Sequence, residues 1–441
     1  MNAPHRAASR WIAAVGLLVA GANDAAAFTT DARRVAMGGV QIPGGREMAS
    51  ANVAYQTMPA RHGGHGAAIP LPLGLLQLAT DFPTLDPNDP NFSAVRLANL
   101  AINPPFFMEM SEPSQLDGDI AISIARNSFA VDFQDAQRLL PQRPLDAGGV
   151  YSRPLVGLGL LGARTYLAPL ALLEGHIAFD DAMYGVLAHG EPVLPNSTYE
   201  MSSDGQTMGG VGFNAGYSDG GWGRENGDGL YLGAYAKYLL GFAFARAESR
   251  FGLASGDTIF GDADPLDVDY DATTRYAPFG RMGHGVGFDT GVAYRTGAVD
   301  VGVGVRDLGS HVRWSSTEVE HNYYDEVTDQ EVTETLPSSP YTVRLPTTTT
   351  LNVAWSGTRT VLAADVTTNR WSTEFHAGAE RRVGPLALRS GLLTDAEARV
   401  QYAWGLGLGL GAVWLDLGFQ THNRTLTGER GLTFGTSVAL R

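Results

Sequence analysis

Asp257, Asp262, Asp264, Asp267, Asp269 and Asp271 crowd one stretch of this chain. Calcium and similar hard cations take about six to eight oxygen ligands, so dense carboxylates are the first place to look for a metal. The EF-hand pattern is absent, because neither its glycine nor its terminal glutamate is in place. The plainer reading is a solvated acidic surface loop, with divalent cations bridging it to lipopolysaccharide as the alternative. Asp262, Asp264, Asp267, Asp269 and Asp271 are the candidate ligands, and no resident metal is expected. The stretch 311–340 repeats the acidity with Glu318, Glu320, Asp325, Glu326, Asp329, Glu331 and Glu334. His62 and His65 lie in a glycine-rich run with no third ligand nearby, which reads as a loop. Gly157, Gly159 and Gly162 fit a dinucleotide fingerprint, with Asp180 and Asp181 downstream. That fingerprint needs a strand before it and a helix after it. Arg164 to Ala168 reads instead as strand, and Pro169 follows. Ser310 and His311 are adjacent, and adjacency is not triad geometry. No catalytic constellation emerges, so neither an enzyme nor a cofactor is expected.

What must hold such residues is set by composition. The chain has 441 residues, 55 of them glycine, no cysteine, and 17% charged residues. Soluble domains carry about 25% charged residues. Beyond the first thirty residues there is no run of about 18 apolar residues that would make a membrane helix. Helices and closed barrels are the two structures that satisfy every backbone polar group in lipid. A charge-poor chain without a spanning helix therefore points to a barrel. The net charge of −15 excludes nucleic acid as a partner, which demands clustered cations. Lys237 is the single lysine. The missing cysteines exclude disulfides, thiolate metal sites, a cysteine nucleophile and a lipoprotein anchor.

The N-terminus reads as an export signal. Arg6 and Arg10 precede an apolar stretch from Trp11 to Ala22, and Ala25, Ala26 and Ala27 supply small residues for cleavage. A signal peptide of residues 1–27, cleaved after Ala27, is expected.

From about residue 117 the chain alternates. Leu230, Leu232, Ala234, Ala236, Tyr238, Leu240, Phe242 and Phe244 share one parity, against Tyr231, Gly233, Tyr235, Lys237, Leu239 and Gly241. Strand side chains point alternately to opposite faces, so one face is continuously apolar and the other mixed. Val299 to Val305, Val286 to Tyr294, Tyr402 to Leu410 and Val413 to Phe419 repeat the pattern. A soluble sandwich also alternates, but several segments exceed the roughly 5–6 residues of an average soluble strand. Aromatics near strand ends suit a membrane girdle, and glycines on the inner face leave room in a lumen. Connections should alternate between long outside and short inside. Loops near 135–152, 188–204, 248–280, 311–340 and 423–430 fall outside; turns at Thr296-Gly297, Ser356-Gly357 and Gly384-Pro385 fall inside. The link Asp219–Asp228 is the one long inner connection. Fifteen candidate strands are one too many for termini on one side, and Phe129–Phe133 is the suspect, so about fourteen are expected.

Three stretches resemble one family. Ala32-Arg33 with Met37-Gly38-Gly39, the run Ala51-Asn52-Val53-Ala54-Tyr55, and Arg306-Asp307-Leu308-Gly309 are similar to motifs of the FadL/PorV/TraF-like outer-membrane barrels. Met58 stands where the family's hatch motif has asparagine, and the chain ends in Arg441 rather than an aromatic. The resemblance implies an all-β, transmembrane antiparallel β-barrel of about fourteen strands, with an N-terminal hatch or plug segment. It divides the mature chain into a hatch, 28–116, and a barrel, 117–441. Tyr55, Leu71, Leu73, Phe106, Phe107 and Lys237 are the hatch and lumen candidates. Two functions follow: a hatch-containing conduit for hydrophobic or amphipathic small molecules, or a docking barrel for a secretion, conjugation or gliding-motility complex. The expected partners are outer-membrane lipid, lipopolysaccharide, a hydrophobic ligand and the proteins of such a complex. The expected location is the bacterial outer membrane.

Overall fold

A computed structural model describes residues 32–44, 48, 51–61, 163–223, 227–257, 266–277, 280–325, 328, 330–394, 400–411 and 413–423. It adds the backbone of strands at 69–70, 106–109, 120–125, 128–133, 145–152, 156–160 and 430–440. In chain order the elements are α1 (Ala32–Ala36), β1 (Ile69–Pro70), β2 (Phe106–Glu109), β3 (Ile120–Ala125), β4 (Ser128–Phe133), β5 (Leu145–Ser152), β6 (Val156–Leu160), β7 (Ala163–Phe179) and α2 (Asp181–His189). Then come β8 (Thr198–Gly223), β9 (Gly229–Ser255), β10 (Leu266–Ala277), β11 (Gly283–Thr296), β12 (Val299–Asp325), β13 (Gln330–Arg344) and β14 (Thr348–Ser356). The last six are β15 (Thr360–Thr368), β16 (Thr373–Val383), β17 (Leu386–Thr394), β18 (Val400–Leu410), β19 (Val413–Asn423) and β20 (Arg430–Leu440).

Eighteen strands form one antiparallel sheet, and β3 pairs with β4 apart from it. The β9 strand pairs with β11 along its first half and with β10 along its second, so β10 and β11 share one lane. The same holds for β13 and β14 against β12, and for β5 and β6 against β7. The sixteen strands β5–β20 therefore occupy thirteen lanes of a meander, one fewer than the fourteen expected. The short strands β1 and β2 lie on the free side of β20. Phe129–Phe133 does form a strand, β4, but in the separate hairpin.

The sheet is strongly curled. Arg370, in the turn after β15, forms an ion pair with Glu174 on β7. Six lanes separate those strands, about 29 Å in a flat sheet at ~4.8 Å per lane. The neighbouring Trp371 packs so close to β5 that a Cβ on Gly148 would lie 2.5 Å from its Cζ2. One face is thus concave and the other convex.

The alternation sorts the two faces as expected. On β9 the odd residues Tyr231, Tyr235, Lys237 and Leu239 are buried, while Leu232, Tyr238 and Phe242 are exposed. Val286, Phe288, Val292, Val301, Val303, Leu351, Val353, Trp355, Leu388, Trp404 and Leu406 continue this convex apolar band. A band this continuous is far larger than the apolar patches of soluble monomers. Phe244 departs from the pattern. Phe242 is unpaired, opposite Gly209 and Gly210, and this bulge inserts one residue into β9. Every later side chain changes face, so Phe244 is buried on the concave side.

The connections correct three expectations. The link after β8 shrinks to 224–228, because Asp219 is already paired with Leu232. The supposed outer loops 248–280 and 311–340 are largely strand, as the far halves of β9 and β12 with β10 and β13. They extend the wall well past the apolar band. Charged side chains and Pro337 and Pro340 hide this from a hydropathy pattern. At the same end, α2 begins on an Asp180 cap, whose carboxylate accepts from the Met183 N–H at 2.6 Å. It covers Phe179, Tyr199, Met201, Phe251 and Leu253.

Candidate functional site

The concave face holds two layers of different chemistry. Toward the short-turn end it grips residues 32–44, 48 and 51–61. Arg33 on α1 donates from Nε to Glu380 at 2.8 Å, and Glu380 also accepts from Arg389 at 2.8 Å and Arg382 at 2.9 Å. Arg389 reaches on to Asp416 at 2.6 Å. The Gln41 N–H donates to Asp365 at 2.6 Å, and His376 sits 2.7 Å from the same carboxylate. Asn52 caps the turn Val53–Gln56 by accepting from the Ala54 N–H, and donates to the Val292 carbonyl at 3.0 Å. The Tyr55 hydroxyl donates to Asn352. Burial removes Tyr55 from water, which pushes its pKa above the ordinary tyrosine value. Arg61 closes the segment on Asp300, which also pairs with Arg295 at 2.7 Å.

Glycines make this grip possible. A Cβ on Gly233 would lie 2.7 Å from the Val53 carbonyl carbon. One on Gly378 would lie 2.6 Å from the Met37 oxygen, and one on Gly391 2.5 Å from the Gly38 nitrogen. The concave wall is thus cut back where Met37, Gly38 and Val53 pass it. The inner glycines of the alternation pattern signalled spare room but not its occupant. Gly391→Val should drive Met37 off the wall. Overpacking costs roughly 1–3 kcal/mol, equivalent to about a fivefold to hundredfold change in exposure of the segment. The absence of cysteine allows Ala36→Cys, at a site now fully buried, to report this by thiol labelling. Gly209→Ala, with nothing within 4 Å, is the matched control and should not change the labelling.

Above this layer sits Lys237, with Nζ 2.6 Å from Asp289 and 2.8 Å from Asp307. The Asp307 N–H donates to Asp289 at 2.8 Å, and Ser310 donates to Asp307 at 3.2 Å. Asp307 has φ 55° and Gly309 φ 64°, a left-handed kink where the β11–β12 register shifts. Ser310 is therefore drawn inward to Asp307, while the His311 ring bonds the Gly309 carbonyl on the opposite face. The two do not form a triad.

Next to the lysine layer is an apolar cluster. Leu170, Leu172, Met208, Leu239, Phe244, Val312, Trp314 and Val343 converge from β7, β8, β9, β12 and β13, with Leu345 just past β13, and Val150, Tyr341 and Trp371 pack around them. Phe244 stacks between Trp314, at 5.1 Å, and Tyr341, at 4.9 Å. Trp314 is fully buried, and its indole N–H has no hydrogen-bond partner among the described residues. Burying such a donor unpaired costs about 1–3 kcal/mol. Arg246 and Arg275 flank the Tyr341 ring.

The other expected residues scatter. Asp267, Asp269 and Asp271 lie on β10, with Asp271 paired to His321 at 2.9 Å. Asp262, Asp264, His62, His65, Leu71 and Leu73 lie outside the described residues. Phe106 and Phe107 lie in β2, whose backbone pairs with β20. Gly157 and Gly159 lie on β6, which pairs antiparallel with β7 rather than leading into a helix, and Gly162 lies outside the described residues. Among the described residues there is no cluster of three metal-ligating side chains. No described helix is long and apolar enough to cross a membrane, which leaves membrane-crossing strands untouched.

No family model matches the chain, and no curated protein is similar to it. Among solved structures, a mutant of the monoaromatic hydrocarbon channel TodX is similar at 12% identity, over 73% of this chain and 86% of that one, with a TM-score of 0.33. The Pseudomonas putida toluene transporter TodX is similar at 13% identity, over 76% and 98%, with a TM-score of 0.30. A Rhodopseudomonas blastica porin mutant follows at 10% identity, over 62% and 99%, with a TM-score of 0.21. At such scores the backbones diverge widely, and the fold described above stands on this chain's own strand pairing.

Proposed function

We propose that this chain is an exported outer-membrane protein whose signal peptide is cleaved after Ala27 and whose curled sheet closes into a barrel. Residues 32–61 act as a hatch at the short-turn end. The apolar cluster around Trp314 receives hydrophobic or amphipathic small molecules, making the protein a FadL-like conduit. The observation that carries this reading is the pairing of a convex apolar band with an apolar cluster on the concave face. A water-filled pore has a polar interior. An interior lined by leucine, valine and stacked aromatics instead suits a ligand that sheds water.

Trp314→Ala tests the site. Removing the indole opens a cavity beside Gly241 and Gly283, whose added Cβ atoms would meet the ring at 2.4–2.8 Å. Engineered apolar cavities bind small apolar molecules. A fluorescent apolar probe should bind the native protein saturably, and the variant with altered affinity of about tenfold or more. Identical binding by both forms places the ligand elsewhere.

The docking-barrel reading draws on one specific observation, the ordered wall of β9, β10, β12 and β13 beyond the apolar band. Mass spectrometry of the purified protein separates the two. Co-purified small hydrophobic molecules support the conduit; one stoichiometric protein partner and no lipid-like ligand support docking.

A further inference from the structure

The convex face changes character just above the apolar band on β11, β12 and β13. Val286, Phe288 and Leu308 are exposed there at 46%, 53% and 49%. The next outward residues on the same lanes are His284 on β11, His311 and Arg313 on β12, and Arg344 on β13. Their orientation follows from alternation, since Gly283 and Gly285, Val312 and Trp314, and Val343 and Leu345 face inward. His284 is registered opposite Arg313, and His311 opposite Arg344. Cross-strand partners have Cβ atoms about 4.5–5.5 Å apart, so the four side chains form one compact patch. Among the described residues, neither the Arg313 nor the Arg344 guanidinium meets a carboxylate. The Tyr238 hydroxyl, 2.7 Å from His284 Nδ1, borders the patch on β9. Among the described residues of β15–β18, the strand-end positions Thr368, Thr373, Thr394 and Val400 are neutral.

We infer that this patch binds the phosphorylated headgroup of an outer-leaflet membrane lipid. The inference rests on the membrane reading above. Guanidinium groups pair with phosphate oxygens through two parallel hydrogen bonds, and Arg313 and Arg344, diagonal across the β12–β13 pair, leave such donors free. The position selects a lipid over a soluble anion. Immediately below the patch, Val286, Phe288 and Leu308 present the surface against which that lipid's acyl chains lie. The acidic residues of β10 and the far half of β12, such as Asp269 and Glu318, lie further out and repel an anion, so the headgroup is confined to the rim.

The test uses the full chain in non-ionic detergent, titrated with diphosphoryl lipid A, with phosphatidylcholine and with inorganic phosphate, and read by native mass spectrometry. Native protein should bind lipid A in preference to phosphatidylcholine. Arg313→Gln with Arg344→Gln should weaken lipid A binding by about tenfold or more, and the paired lysine substitutions should retain more of it. If the double variant does not fold, Arg344→Gln alone should give about a threefold loss. Equal lipid A binding by native and glutamine forms overturns the proposal. So does equal binding of phosphatidylcholine, or saturation by inorganic phosphate that displaces the lipid. Failure of the native chain to enter bilayers would instead overturn the membrane reading, whereas entry without selective lipid A binding overturns the patch alone.

Discussion

Glu380→Ala is expected to destabilise the protein by about 3–5 kcal/mol and to free α1 from the concave face. Glu380 is almost fully buried and is the carboxylate that Arg33, Arg382 and Arg389 share. Without it, Arg33, Arg382 and Arg389 each lose a close carboxylate contact, while Asp416 still reaches Arg389 at 2.6 Å. Breaking a buried pair by removing one partner costs far more than replacing both with apolar groups, because the surviving charges stay out of water. Two consequences separate this mechanism from simple loss of packing. Arg33→Leu alone should cost much less, since Glu380 keeps two arginines. Combining Arg33→Leu with Glu380→Ala should recover part of the loss, so the pair is strongly non-additive. Thermal unfolding by circular dichroism in detergent, with proteolysis of residues 32–61 in parallel, reads both. A Glu380→Ala protein as stable as the native one would remove the ion network from the account.

Lys237→Met should be comparably costly, at about 3–5 kcal/mol, through the opposite charge. Asp289 and Asp307 both point at the ammonium and are linked to each other through the Asp307 N–H. Methionine fills the volume and leaves two carboxylates facing each other. The left-handed Asp307 is held by that same hydrogen bond, so the β12 kink should loosen with it. Lys237→Arg is not a rescue, because a planar fork does not fit a site built for a point charge between two oxygens. Adding Asp307→Asn to Lys237→Met should restore a measurable share of the stability. If Lys237→Met unfolds at the native temperature, the lysine is not a counter-ion for this layer.

These two sites mark what the sequence makes legible. Lys237 stood out as the single lysine, on the inward parity of β9, and Tyr55 as part of a hatch-like run. Both are buried on the concave face. The partners were not legible: Arg33 and Glu380 are 347 positions apart, and only the curl of the sheet brings them together. Period-two alternation located the strands because their convex residues are apolar without interruption. It failed wherever that condition failed. One unpaired residue at Phe242 turned Phe244 inward, and no hydropathy pattern carries such a shift. The far halves of β9 and β12 lie beyond the apolar band, so they lack the alternation and read as acidic loops. Asp219 seemed to open a long inner link because Gly220 and Gly223 resemble a turn, yet β8 runs on through them.

Uptake into proteoliposomes tests the central claim most directly. Vesicles carrying the full chain should accumulate a radiolabelled small apolar aromatic solute several-fold faster than empty vesicles, while excluding sucrose and passing little ionic current. Trp314→Ala should change the apolar flux without admitting sucrose. Apolar uptake no faster than in empty vesicles, or free passage of sucrose and ions, would contradict a hatch-closed conduit with an apolar interior.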